Sequence, residues 1–415
     1  MKKITIEGNH TLSGEINISG AKNSIVALLP ATILADEPVT ITNVPNIKDV
    51  EATIAILQYL GSEITYQNNT IIIDNKNIQN KEIPDNLANK LRASYYFMGA
   101  LLSKFKEASI SYPGGCPIGK RPIDIHLNSF KKLNIDVSIE NNNYHLKTNN
   151  IISNTITLAK PSVGATINIL LTTAKTKTTT IINNPAKEPE INNLIEFLNK
   201  MGTNIIINKD NIIINGSSYL KSTTIQTIPD RIETGTYLII GALLGNKLKI
   251  NNINPLVNTA LINKLKESNT SMTLTDSSIT ISKNHFIKPV NITTKEYPGF
   301  PTDLQQPFTT YLTQAMGKST IKETIYENRF QNVKELNKLN SHINIDNNKQ
   351  ITINGPTKLV GNIVNSTDLR GGASLIIAGL IAEGTTTITN IEHILRGYDN
   401  IINKLKNVGA KIEIE

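Results

Sequence analysis

The stretch Leu198-Asn-Lys-Met-Gly-Thr-Asn-Ile205 has the pattern Leu-x-x-x-Gly-x-x-Ile, in which the end of an apolar helix meets glycine and then a β-branched residue. Variants of this pattern occur six times, at residues 57–64, 130–137, 198–205, 265–272, 336–343 and 405–412. Glycine or asparagine stands at the fifth position of each copy, and successive copies are 67 to 73 residues apart. The chain is therefore predicted to consist of six structural repeats.

Short β-branched runs flank the helix of each repeat. Examples lie before it at 39–41, 178–182 and 385–388, and after it at 70–73 and 211–214. These runs predict a unit of strand, helix, strand and strand. A second helix, apolar on all sides, completes each unit at 23–34, 93–102, 164–173, 235–244, 304–316 and 373–381. Helices of that kind are buried inside a domain.

Polar or charged residues stand at the starts of the six apolar helices. They are Lys22, Asn23, Arg92, Ser162, Arg231, Glu233, Asp303, Asp368 and Arg370. A helix start has free N–H groups and the positive end of the helix dipole, so six starts directed at one place would favour an anionic ligand. Ordinary N-terminal capping explains any single start taken alone. The sixfold recurrence favours a binding site.

Length and charge limit the class of protein. A chain of 415 residues is predicted to form two or three domains. The net charge of +8 comes from dispersed lysines, aromatic residues make up 5 % and tryptophan is absent, so no nucleic-acid partner is expected. Small phosphorylated substrates fit the charge better.

The sequence also indicates a compartment. A single cysteine excludes an intramolecular disulfide, and the first residues lack the apolar segment of a signal peptide. The apolar stretches at 24–35 and 374–382 are shorter than the roughly 18 residues that cross a bilayer. We expect a cytoplasmic monomer with no membrane partner.

That single cysteine, Cys116, lies in the glycine- and proline-rich loop Pro113-Gly-Gly-Cys-Pro-Ile-Gly-Lys-Arg-Pro-Ile-Asp-Ile-His-Leu127. Lys120 and Arg121 follow it, and nearby cations favour the reactive thiolate. A reactive or ligand-facing thiol is the favoured interpretation, and an inert, half-buried thiol is the alternative.

Two other kinds of site are excluded. Gly114 to Lys120 has the front of a nucleotide-triphosphate loop, but Arg121 and Pro122 stand where serine or threonine and a helix are required. The six histidines are scattered and no second cysteine exists, so no metal site is predicted. No cofactor is expected either.

Nine short segments, in order along nearly the whole chain, resemble the enolpyruvyl transferase family and within it the UDP-N-acetylglucosamine 1-carboxyvinyltransferases. The segments are Ser19-Gly-Ala-Lys-Asn23, Leu91-Arg-Ala-Ser94, the Cys116 loop, Ser162-Val-Gly-Ala-Thr166, Pro229-Asp-Arg-Ile-Glu-Thr-Gly235, Phe300-Pro-Thr-Asp303, Glu327-Asn-Arg-Phe330, Thr367-Asp-Leu-Arg370 and Arg396-Gly-Tyr398. Any one of them is a weak signal, but nine in sequence make coincidence a poor explanation.

The resemblance implies an α/β fold of two domains, each an inside-out α/β barrel (α/β prism) of three βαβαββ-type repeats, with the ligands in the cleft between the domains. The family's first strand returns to the C-terminal domain, which places the crossovers near Gly20 and Pro229. We therefore assign residues 22–229 to one domain, and residues 1–21 with 230–415 to the other.

The activity implied by the resemblance is transfer of the enolpyruvyl group of phosphoenolpyruvate to the 3-hydroxyl of UDP-N-acetylglucosamine, by addition and then elimination of phosphate. Cys116 resembles the family's proton donor to the methylene carbon, and its sulfur can also form a covalent thioketal. The sequence does not apportion these two roles. Asp303 resembles the carboxylate that receives the sugar hydroxyl proton, although on sequence alone it is also an ordinary N-terminal helix carboxylate.

The resemblance also implies the substrate-binding residues. Lys22, Arg121 and Arg396 match the cations that hold phosphoenolpyruvate, with Asn23 beside Lys22. Arg92 matches a residue near the sugar nucleotide. The segments that line the UDP-sugar correspond to Arg121, Pro122, Ile123, Asp124, Ile125, Lys160, Pro161, Ser162, Val163, Gly164 and Ile325. Arg329, Asp368 and Arg370 resemble cleft or hinge residues that respond to domain closure.

Departures from the family pattern are small. Lys120 precedes Arg121 where a small residue is commoner, and Gly371-Gly372 follows Arg370 where alanine or serine is usual. Each glycine is expected to weaken the helix start by about 1 kcal/mol relative to alanine.

Two alternatives remain. One is a shikimate-phosphate enolpyruvyl transferase, which has the same fold and donor but lacks the cysteine loop. The other is a catalytically idle relative that binds or regulates, and the joint presence of Lys22, Cys116, Arg121, Asp303 and Arg396 argues against it.

Overall fold

The chain divides into two compact units in a computed structural model that describes residues 2–115, 118–119 and 122–415. The N unit comprises residues 20–115 and 122–228, and the C unit comprises residues 2–19 and 229–415 together with Ile118 and Gly119. Cys116 and Arg121 lie outside the described residues.

The α-helices, in chain order, are α1 Lys22–Ala31, α2 Lys48–Leu60, α3 Asp85–Ala88, α4 Tyr96–Phe105, α5 Asp124–Lys132, α6 Val163–Ala174, α7 Pro189–Met201, α8 Arg231–Leu244, α9 Thr259–Glu267, α10 Thr302–Leu312, α11 Gln331–Lys338, α12 Leu369–Ile381, α13 Glu392–Leu395 and α14 Ile401–Asn407. Short 3₁₀ helices cover Thr32–Leu34, Arg92–Tyr95 and Pro255–Asn258.

The strands, in the same order, are β1 Ile4–Glu7, β2 Glu15–Asn17, β3 Val39–Thr42, β4 Glu63–Gln67, β5 Thr70–Asp74, β6 Glu107–Ser111, β7 Asp136–Glu140, β8 Asn143–Lys147, β9 Asn154–Thr157, β10 Thr179–Asn183, β11 Asn204–Ile207, β12 Asn211–Asn215, β13 Thr224–Gln226, β14 Leu248–Asn251, β15 Met272–Leu274, β16 Ser278–Ile281, β17 Ile292–Thr293, β18 Lys318–Lys322, β19 Ile343–Asn347, β20 Gln350–Asn354, β21 Ile363–Asn365, β22 Thr385–Thr389 and β23 Lys411–Ile414.

Within the described residues each unit has three sheets. Those of the N unit have the orders β13-β3-β5-β4, β6-β8-β7 and β11-β12-β10-β9, and those of the C unit β21-β22-β1-β23, β15-β16-β14-β2 and β17-β18-β20-β19. In β11-β12-β10-β9, for example, β10 pairs antiparallel with β12 and parallel with β9. The six predicted repeats and the α/β class are confirmed.

The six apolar helices are buried as predicted, as α1, α4, α6, α8, α10 and α12. In the C unit α10 packs against both α8 and α12, and in the N unit α4 packs against α6 and α1. Five of the six apolar helices, all except α1, also pack against a strand. The pairs are α4 with β6, α6 with β12, α8 with β14, α10 with β18 and α12 with β22. Helices therefore occupy the inside of each unit, because their apolar surfaces face in every direction.

Two helix ends differ from the prediction. The segment 23–34 is α-helical only to Ala31, with Pro30 inside α1, and continues as a 3₁₀ helix over Thr32–Leu34. The segment 304–316 begins at Thr302 and ends at Leu312, since the Met316 N–H donates instead to the Ile287 carbonyl at 2.8 Å.

The repeated glycine or asparagine has a conformational cause. These residues follow the helices with φ of +107° at Gly61, +66° at Asn134, +127° at Gly202, +74° at Asn269, +69° at Asn340 and +104° at Gly409. A left-handed residue ends a helix and turns the chain back, and glycine and asparagine tolerate that conformation best. The pattern that defines the six repeats is therefore a helix C-terminal signal.

A second asparagine signal was not predicted from the sequence. Asn43, Asn184 and Asn252 follow β3, β10 and β14 with φ of +54° to +56°. Their side-chain amides donate to the Thr227, Leu158 and Ile18 carbonyls at 2.7 to 3.0 Å, beside the parallel neighbour strand. Some of the many asparagines of this chain therefore end strands, by adopting a positive φ and by donating a side-chain hydrogen bond to the neighbouring segment.

We predict that Gly202→Ala lowers the free energy of unfolding by about 1 to 2 kcal/mol, because alanine is strained at the positive φ that Gly202 adopts. A β-carbon there would have its nearest neighbour, the Tyr219 carbonyl oxygen, at an ordinary 3.6 Å, so no clash contributes. Urea unfolding would measure the change, with Asn269→Gly as the control because glycine accepts φ of +74°. Equal stability of Gly202→Ala and the parent chain would contradict this explanation of the repeat.

A buried ion pair anchors the point where the chain leaves the C unit at Ser19. The Ser19 N–H donates to Glu233 Oε2 at 2.9 Å. Lys404 Nζ donates to Glu233 Oε1 at 2.6 Å and to the Ser19 hydroxyl at 2.7 Å. Residues from α8 and α14 thus hold the N-terminal segment, whose β1 and β2 complete two sheets of the C unit.

Candidate active site

Asp303 lies in the first turn of α10, between two arginines of the C unit. Arg329 Nη2 donates to its Oδ1 at 2.8 Å, and Arg370 Nη2 and Nε donate to its Oδ2 at 3.0 and 3.2 Å. The arginine side chains are each 3 % exposed, whereas the Asp303 side chain is 28 % exposed. The carboxylate is thus the part of this group that faces outward.

Each of the two guanidinium groups lies over an aromatic ring. Arg370 lies over the ring of Tyr398 at 5.2 Å, and Arg329 lies over the ring of Tyr326 at 5.6 Å. Burial lowers the pKa of Arg370, but Tyr398, Asp303 and Asp230 outweigh it and raise that pKa overall. The pKa of Arg329 is also raised, with burial opposed by its acidic neighbours. Both cations therefore persist at any physiological pH.

Each arginine also has a buried nitrogen without a hydrogen-bond acceptor among the described residues, Nε of Arg329 and Nη1 of Arg370. A buried unpaired donor costs about 1 to 3 kcal/mol. An arrangement that retains two of them has not been optimised for stability, and such exceptions are expected at functional sites.

Asp368 is the N-cap of α12 and joins this helix to α10. Its Oδ1 accepts from the Arg370 and Gly371 N–H groups at 3.0 and 3.2 Å. Its Oδ2 accepts from Gln306 Nε2 at 3.0 Å. The structure therefore brings the predicted Asp303, Arg329, Asp368 and Arg370 into one hydrogen-bonded network at the starts of two helices, in which Asp303 alone is partly exposed.

Glu323, which the sequence did not single out, fixes the position of Ile325. Its fully buried carboxylate accepts from the Ile325 N–H at 2.8 Å and from the hydroxyls of Thr294 and Thr302 at 2.9 Å. Since Thr302 is the first residue of α10, Ile325 lies near Asp303 along one hydrogen-bonded path. A lone glutamate after a strand gave no signal for this role.

Arg396 follows α13 and is half-buried. Two residues on, Tyr398 is buried, and its hydroxyl lies 3.0 Å from the Thr236 hydroxyl of α8. Tyr398 also supports Arg370, so the Arg396-Gly-Tyr398 segment is tied to the Asp303 network through its tyrosine.

In the N unit, Lys22 is the first residue of α1 and pairs with Asp49 of α2, with Nζ 3.0 Å from Oδ2. The Lys22 and Asp49 side chains are 15 % and 6 % exposed, respectively. Asp49 therefore holds the Lys22 ammonium in place, and a small part of the lysine side chain stays exposed to solvent. Asn23 follows, half-buried. Asp49 was not predicted from the sequence.

A second group of N-unit residues surrounds Gly164. A β-carbon on Gly164 would lie 2.5 Å from His126 Cε1 and 2.8 Å from the Tyr95 hydroxyl, so only glycine fits at this start of α6. Arg92 lies over the Tyr95 ring at 5.5 Å, and His126 Nδ1 lies 2.9 Å from Asn168 Nδ2. The predicted Arg92 and Gly164 are thus linked through Tyr95 and His126, which sequence reasoning missed.

The remaining predicted residues flank two helix starts. Ser162 caps α6 and accepts from the Ala165 N–H at 3.3 Å, and Lys160 before it is exposed. Pro161 and Val163 are half-buried. Before and within α5, Pro122 and Asp124 are exposed, Ile125 is half-buried and Ile123 is buried. Cys116 and Arg121 are outside the described residues, so their predicted positions stay predictions.

His126 provides a pH test of this packing. Burial, with a smaller effect from Arg92, lowers the pKa of His126 from 6.5 to about 3. The folded chain keeps the imidazole neutral, whereas the unfolded chain protonates it below about pH 6.5. Its contribution to stability is therefore complete above that pH and is lost as the pH falls from 6.5 toward 3.

We predict that the parent chain loses about 2 kcal/mol more unfolding free energy between pH 7 and pH 5 than His126→Gln, from 1.36 kcal/mol per pH unit. Urea unfolding at both pH values measures this, and His342→Gln is the control because His342 is exposed. If the parent and His126→Gln showed the same pH dependence, His126 would not be a buried neutral imidazole.

Neither a membrane-spanning helix nor a metal-binding cluster occurs among the described residues. No helix there is long and apolar enough to cross a membrane. No cluster of three or more histidine, cysteine, aspartate or glutamate residues there could hold a metal ion.

Comparison with known proteins places the whole chain. Residues 6–405 match the family EPSP synthase (3-phosphoshikimate 1-carboxyvinyltransferase). The chain is 45 % identical over 414 residues to UDP-N-acetylglucosamine 1-carboxyvinyltransferase 2 of Bacillus cereus, covering 99 % of this chain and 96 % of the relative. It is 46 % identical over 417 residues to the enzyme of the same name from Streptococcus pyogenes serotype M1, covering 100 % and 99 %.

Solved structures agree on the fold. The enolpyruvyl transferase NikO from Streptomyces tendae superposes with a TM-score of 0.90 at 25 % identity, covering 100 % of this chain and 99 % of the other. EPSP synthase from Acinetobacter baumannii gives a TM-score of 0.77 at 17 % identity, with 100 % of both chains covered. Because the identity to the Acinetobacter baumannii enzyme is only 17 %, this similarity shows the fold alone. That fold is the predicted inside-out α/β architecture.

Proposed function

The chain belongs to the EPSP synthase family of carboxyvinyltransferases, and we propose that it transfers the enolpyruvyl group of phosphoenolpyruvate to the 3-hydroxyl of UDP-N-acetylglucosamine, releasing phosphate. The acceptor follows from the near full-length similarity to enzymes named for it. The family's other acceptor, 3-phosphoshikimate, is the second candidate, because the family description carries its name.

The observation that carries the chemistry is the Asp303 carboxylate. Two buried guanidinium groups hold both its oxygens, yet the carboxylate retains exposure that the arginines lack. A carboxylate fixed in this way can accept a proton from a hydroxyl that is brought to its open side. We assign it to the sugar 3-hydroxyl.

The first chemical step is addition. Cys116 gives a proton to the methylene carbon of phosphoenolpyruvate, which makes the second carbon electrophilic. The sugar oxygen bonds to that carbon while its proton passes to Asp303. The product of this step is a tetrahedral intermediate that carries phosphate, carboxylate, methyl and sugar oxygen on one carbon.

The second step is elimination. A proton of the new methyl group returns to the Cys116 thiolate, the double bond re-forms and the C–O bond to phosphate breaks, with its electron pair leaving on the phosphate. Asp303 then gives the proton it took from the sugar hydroxyl to the departing phosphate or to water, which restores both groups. Phosphate and carboxylate require cations throughout, which we assign to Lys22, Arg121 and Arg396, with Asn23 donating hydrogen bonds. The Lys22–Asp49 pair supports this, because it gives Lys22 a fixed direction.

The UDP-sugar is assigned to the other N-unit residues and to Ile325. Arg92 and the segments 121–125 and 160–164 form this set, with half-buried Tyr95 and buried His126 beside Gly164. Lys160 is exposed, and its ammonium group can form an ion pair with a diphosphate. Ser162 is the N-cap of α6, and the backbone N–H groups at a helix start can bind an anion. We place the reaction in the cytoplasm, at the first committed step of peptidoglycan synthesis, with the chain acting as a monomer.

A phosphate-release assay with matched acceptors tests the function. The purified chain receives phosphoenolpyruvate with UDP-N-acetylglucosamine, with shikimate 3-phosphate, or with no acceptor. Release with UDP-N-acetylglucosamine alone is the expected result. Release only with shikimate 3-phosphate would show that shikimate 3-phosphate, and not UDP-N-acetylglucosamine, is the acceptor. No release with either acceptor would support the catalytically idle alternative.

A further inference from the structure

The first turn of α1 has no side-chain cap. Its N-cap residue is Ala21, whose methyl group cannot accept a hydrogen bond from the N–H groups at the helix start. This end of the helix is attached through the backbone instead, because the Ala21 N–H donates to the Ile228 carbonyl at 2.7 Å. Ile228 is the last residue of the N unit and lies far from α1 in the sequence. The first turn, which carries Lys22 and Asn23, therefore depends on a distant segment for its position.

Asn193 of α7 completes this attachment through its side-chain amide, and the residue is only 2 % exposed. Its Oδ1 accepts from the Ser24 hydroxyl and, at 3.3 Å, from the Ile228 N–H. Its Nδ2 donates to the Gln226 carbonyl at 3.1 Å. The backbone N–H requires the amide oxygen and the backbone carbonyl requires the amide nitrogen, so these contacts determine which way the amide points. Asn193 thus joins the first turn of α1 to residues 226–228.

We infer that Asn193 is a positioning residue for phosphoenolpyruvate, because it holds the first turn of α1, and with it Lys22 and Asn23, against residues 226–228. The inference rests on the proposed function for the assignment of Lys22 and Asn23 to phosphoenolpyruvate. Asn193 is too deeply buried to be assigned a contact with substrate, so it acts through α1.

Residues 226–228 are a rigid support for this contact. Gln226 ends β13, which pairs with β3. The next residue, Thr227, donates its N–H to the Thr42 carbonyl at 3.0 Å, and its own carbonyl accepts from Asn43 Nδ2 at 2.8 Å. With the bonds from Asn193 and Ala21, each of the three successive carbonyls accepts a hydrogen bond. A group bonded to this segment is therefore restrained by the sheet.

Lys22 is consequently restrained in two ways. Its ammonium group pairs with Asp49 of α2 at 3.0 Å, which directs the side chain. Its backbone belongs to the turn that Asn193 attaches to residues 226–228. Both α2 and α7 pack against α1. Restraint of this kind serves binding and catalysis, since small displacements of a charged group cost large factors in rate.

The same helix offers a matched control for a loss of stability. Asn199 of α7 also accepts two hydrogen bonds and donates one. Its Oδ1 accepts from the Ile205 N–H at 2.7 Å and from the Thr203 hydroxyl at 2.9 Å, and its Nδ2 donates to the Ile205 carbonyl at 2.9 Å. These partners follow α7 in the chain and include no residue of α1. Asn199→Ala therefore removes a similar set of amide contacts without releasing the first turn of α1.

The test compares Asn193→Ala with Asn199→Ala. For Asn193→Ala we expect KM for phosphoenolpyruvate to rise about tenfold, the equivalent of one lost hydrogen bond. Its dissociation constant for UDP-N-acetylglucosamine should change less than about threefold. Asn199→Ala should lower the urea midpoint of unfolding but leave KM for phosphoenolpyruvate within about twofold of the parent chain. Steady-state phosphate release and isothermal titration calorimetry measure these quantities.

Two further variants identify the contact that matters. Asn193→Asp keeps the oxygen that accepts from Ser24, so its KM for phosphoenolpyruvate should stay within about threefold of the parent chain. Ser24→Ala removes the same contact from the other side and should raise this KM about fivefold. Ser24→Ala combined with Asn193→Ala should stay within about twofold of Asn193→Ala alone, because both changes break one interaction.

Three results would overturn the inference. One is an unchanged KM for phosphoenolpyruvate in Asn193→Ala, and another is an equal rise in Asn199→Ala, which would make the effect a general loss of stability. The third is a double variant whose KM rises by the product of the two single effects, since Asn193 would then not act through Ser24. If Asn193→Ala fails to fold, Ser24→Ala decides, because a positioning role requires its KM to rise with UDP-N-acetylglucosamine binding intact.

A readout without turnover separates this inference from the proposed function. The dissociation constant of phosphoenolpyruvate alone, measured by isothermal titration calorimetry, should be about tenfold higher in Asn193→Ala than in the parent chain. If the parent chain releases no phosphate with either acceptor but this change occurs, the proposed function fails and the positioning role stands. If phosphate is released but neither this dissociation constant nor KM changes, the positioning role fails and the proposed function stands.

Discussion

Asp303→Asn is expected to lower kcat about 10³-fold, because an amide cannot accept the proton of the sugar hydroxyl. The dissociation constant of UDP-N-acetylglucosamine should change less than about threefold, since this loss belongs to the transition state. Steady-state phosphate release and isothermal titration calorimetry measure the two quantities. Asp303→Ala should behave in the same way.

The same substitution has a structural consequence. Arg329 and Arg370 remain buried beside a neutral group, and breaking a buried ion pair costs about 3 kcal/mol. Asp276→Asn, at an exposed position of the same unit, is the control and should leave both turnover and stability unchanged. Near-normal turnover of Asp303→Asn would remove Asp303 from the mechanism.

Cys116→Ala is expected to lower kcat about 10³-fold, the typical contribution of a positioned general acid. In the parent chain, an epoxide that mimics phosphoenolpyruvate, such as fosfomycin, should add its mass once, at Cys116. Bound UDP-N-acetylglucosamine should accelerate this reaction. Intact-mass measurement counts the adducts, and because the chain contains a single cysteine, comparison with Cys116→Ala shows whether the adduct is on the thiol.

Cys116→Ala is itself the control for the labelling experiment, since it should gain no mass. An adduct on Cys116→Ala, or none on the parent chain, would contradict the assignment of the reactive thiol. Comparing the labelling rate with the loss of turnover addresses the two roles that the sequence leaves open, proton donor and covalent nucleophile.

The fold was predictable because its signals are local. Residues such as Gly61 and Asn340 mark helix ends through their own φ preference, and an apolar helix such as α6 carries its burial in its own sequence. Both signals need only a few neighbouring residues. Six copies of each made the repeat count secure.

The site was predictable only in part, because its contacts are not local. Asp303 meets Arg329 and Arg370, which are 26 and 67 residues away, and no spacing rule joins such positions. Each of the three residues by itself looks like a helix cap or a surface charge. The resemblance to a family named them, but only the packed structure shows which one faces outward.

Supporting residues were missed for the same reason. Asp49, Glu323 and His126 act through partners on other elements, and a lone acid or histidine carries no local sign of burial. A buried histidine is most often a satisfied core residue, which is also how His126 behaves toward Asn168. Such residues become visible only once their neighbours are known.

The most direct test of the account is to run the reaction in deuterium oxide and analyse the product by mass spectrometry and NMR. Addition followed by elimination gives the methylene carbon a solvent deuteron before the double bond re-forms, so the enolpyruvyl group of the product should carry deuterium on that carbon. One phosphate should be released for each UDP-N-acetylglucosamine consumed. A product without deuterium, or no product from UDP-N-acetylglucosamine and phosphoenolpyruvate, would contradict the account.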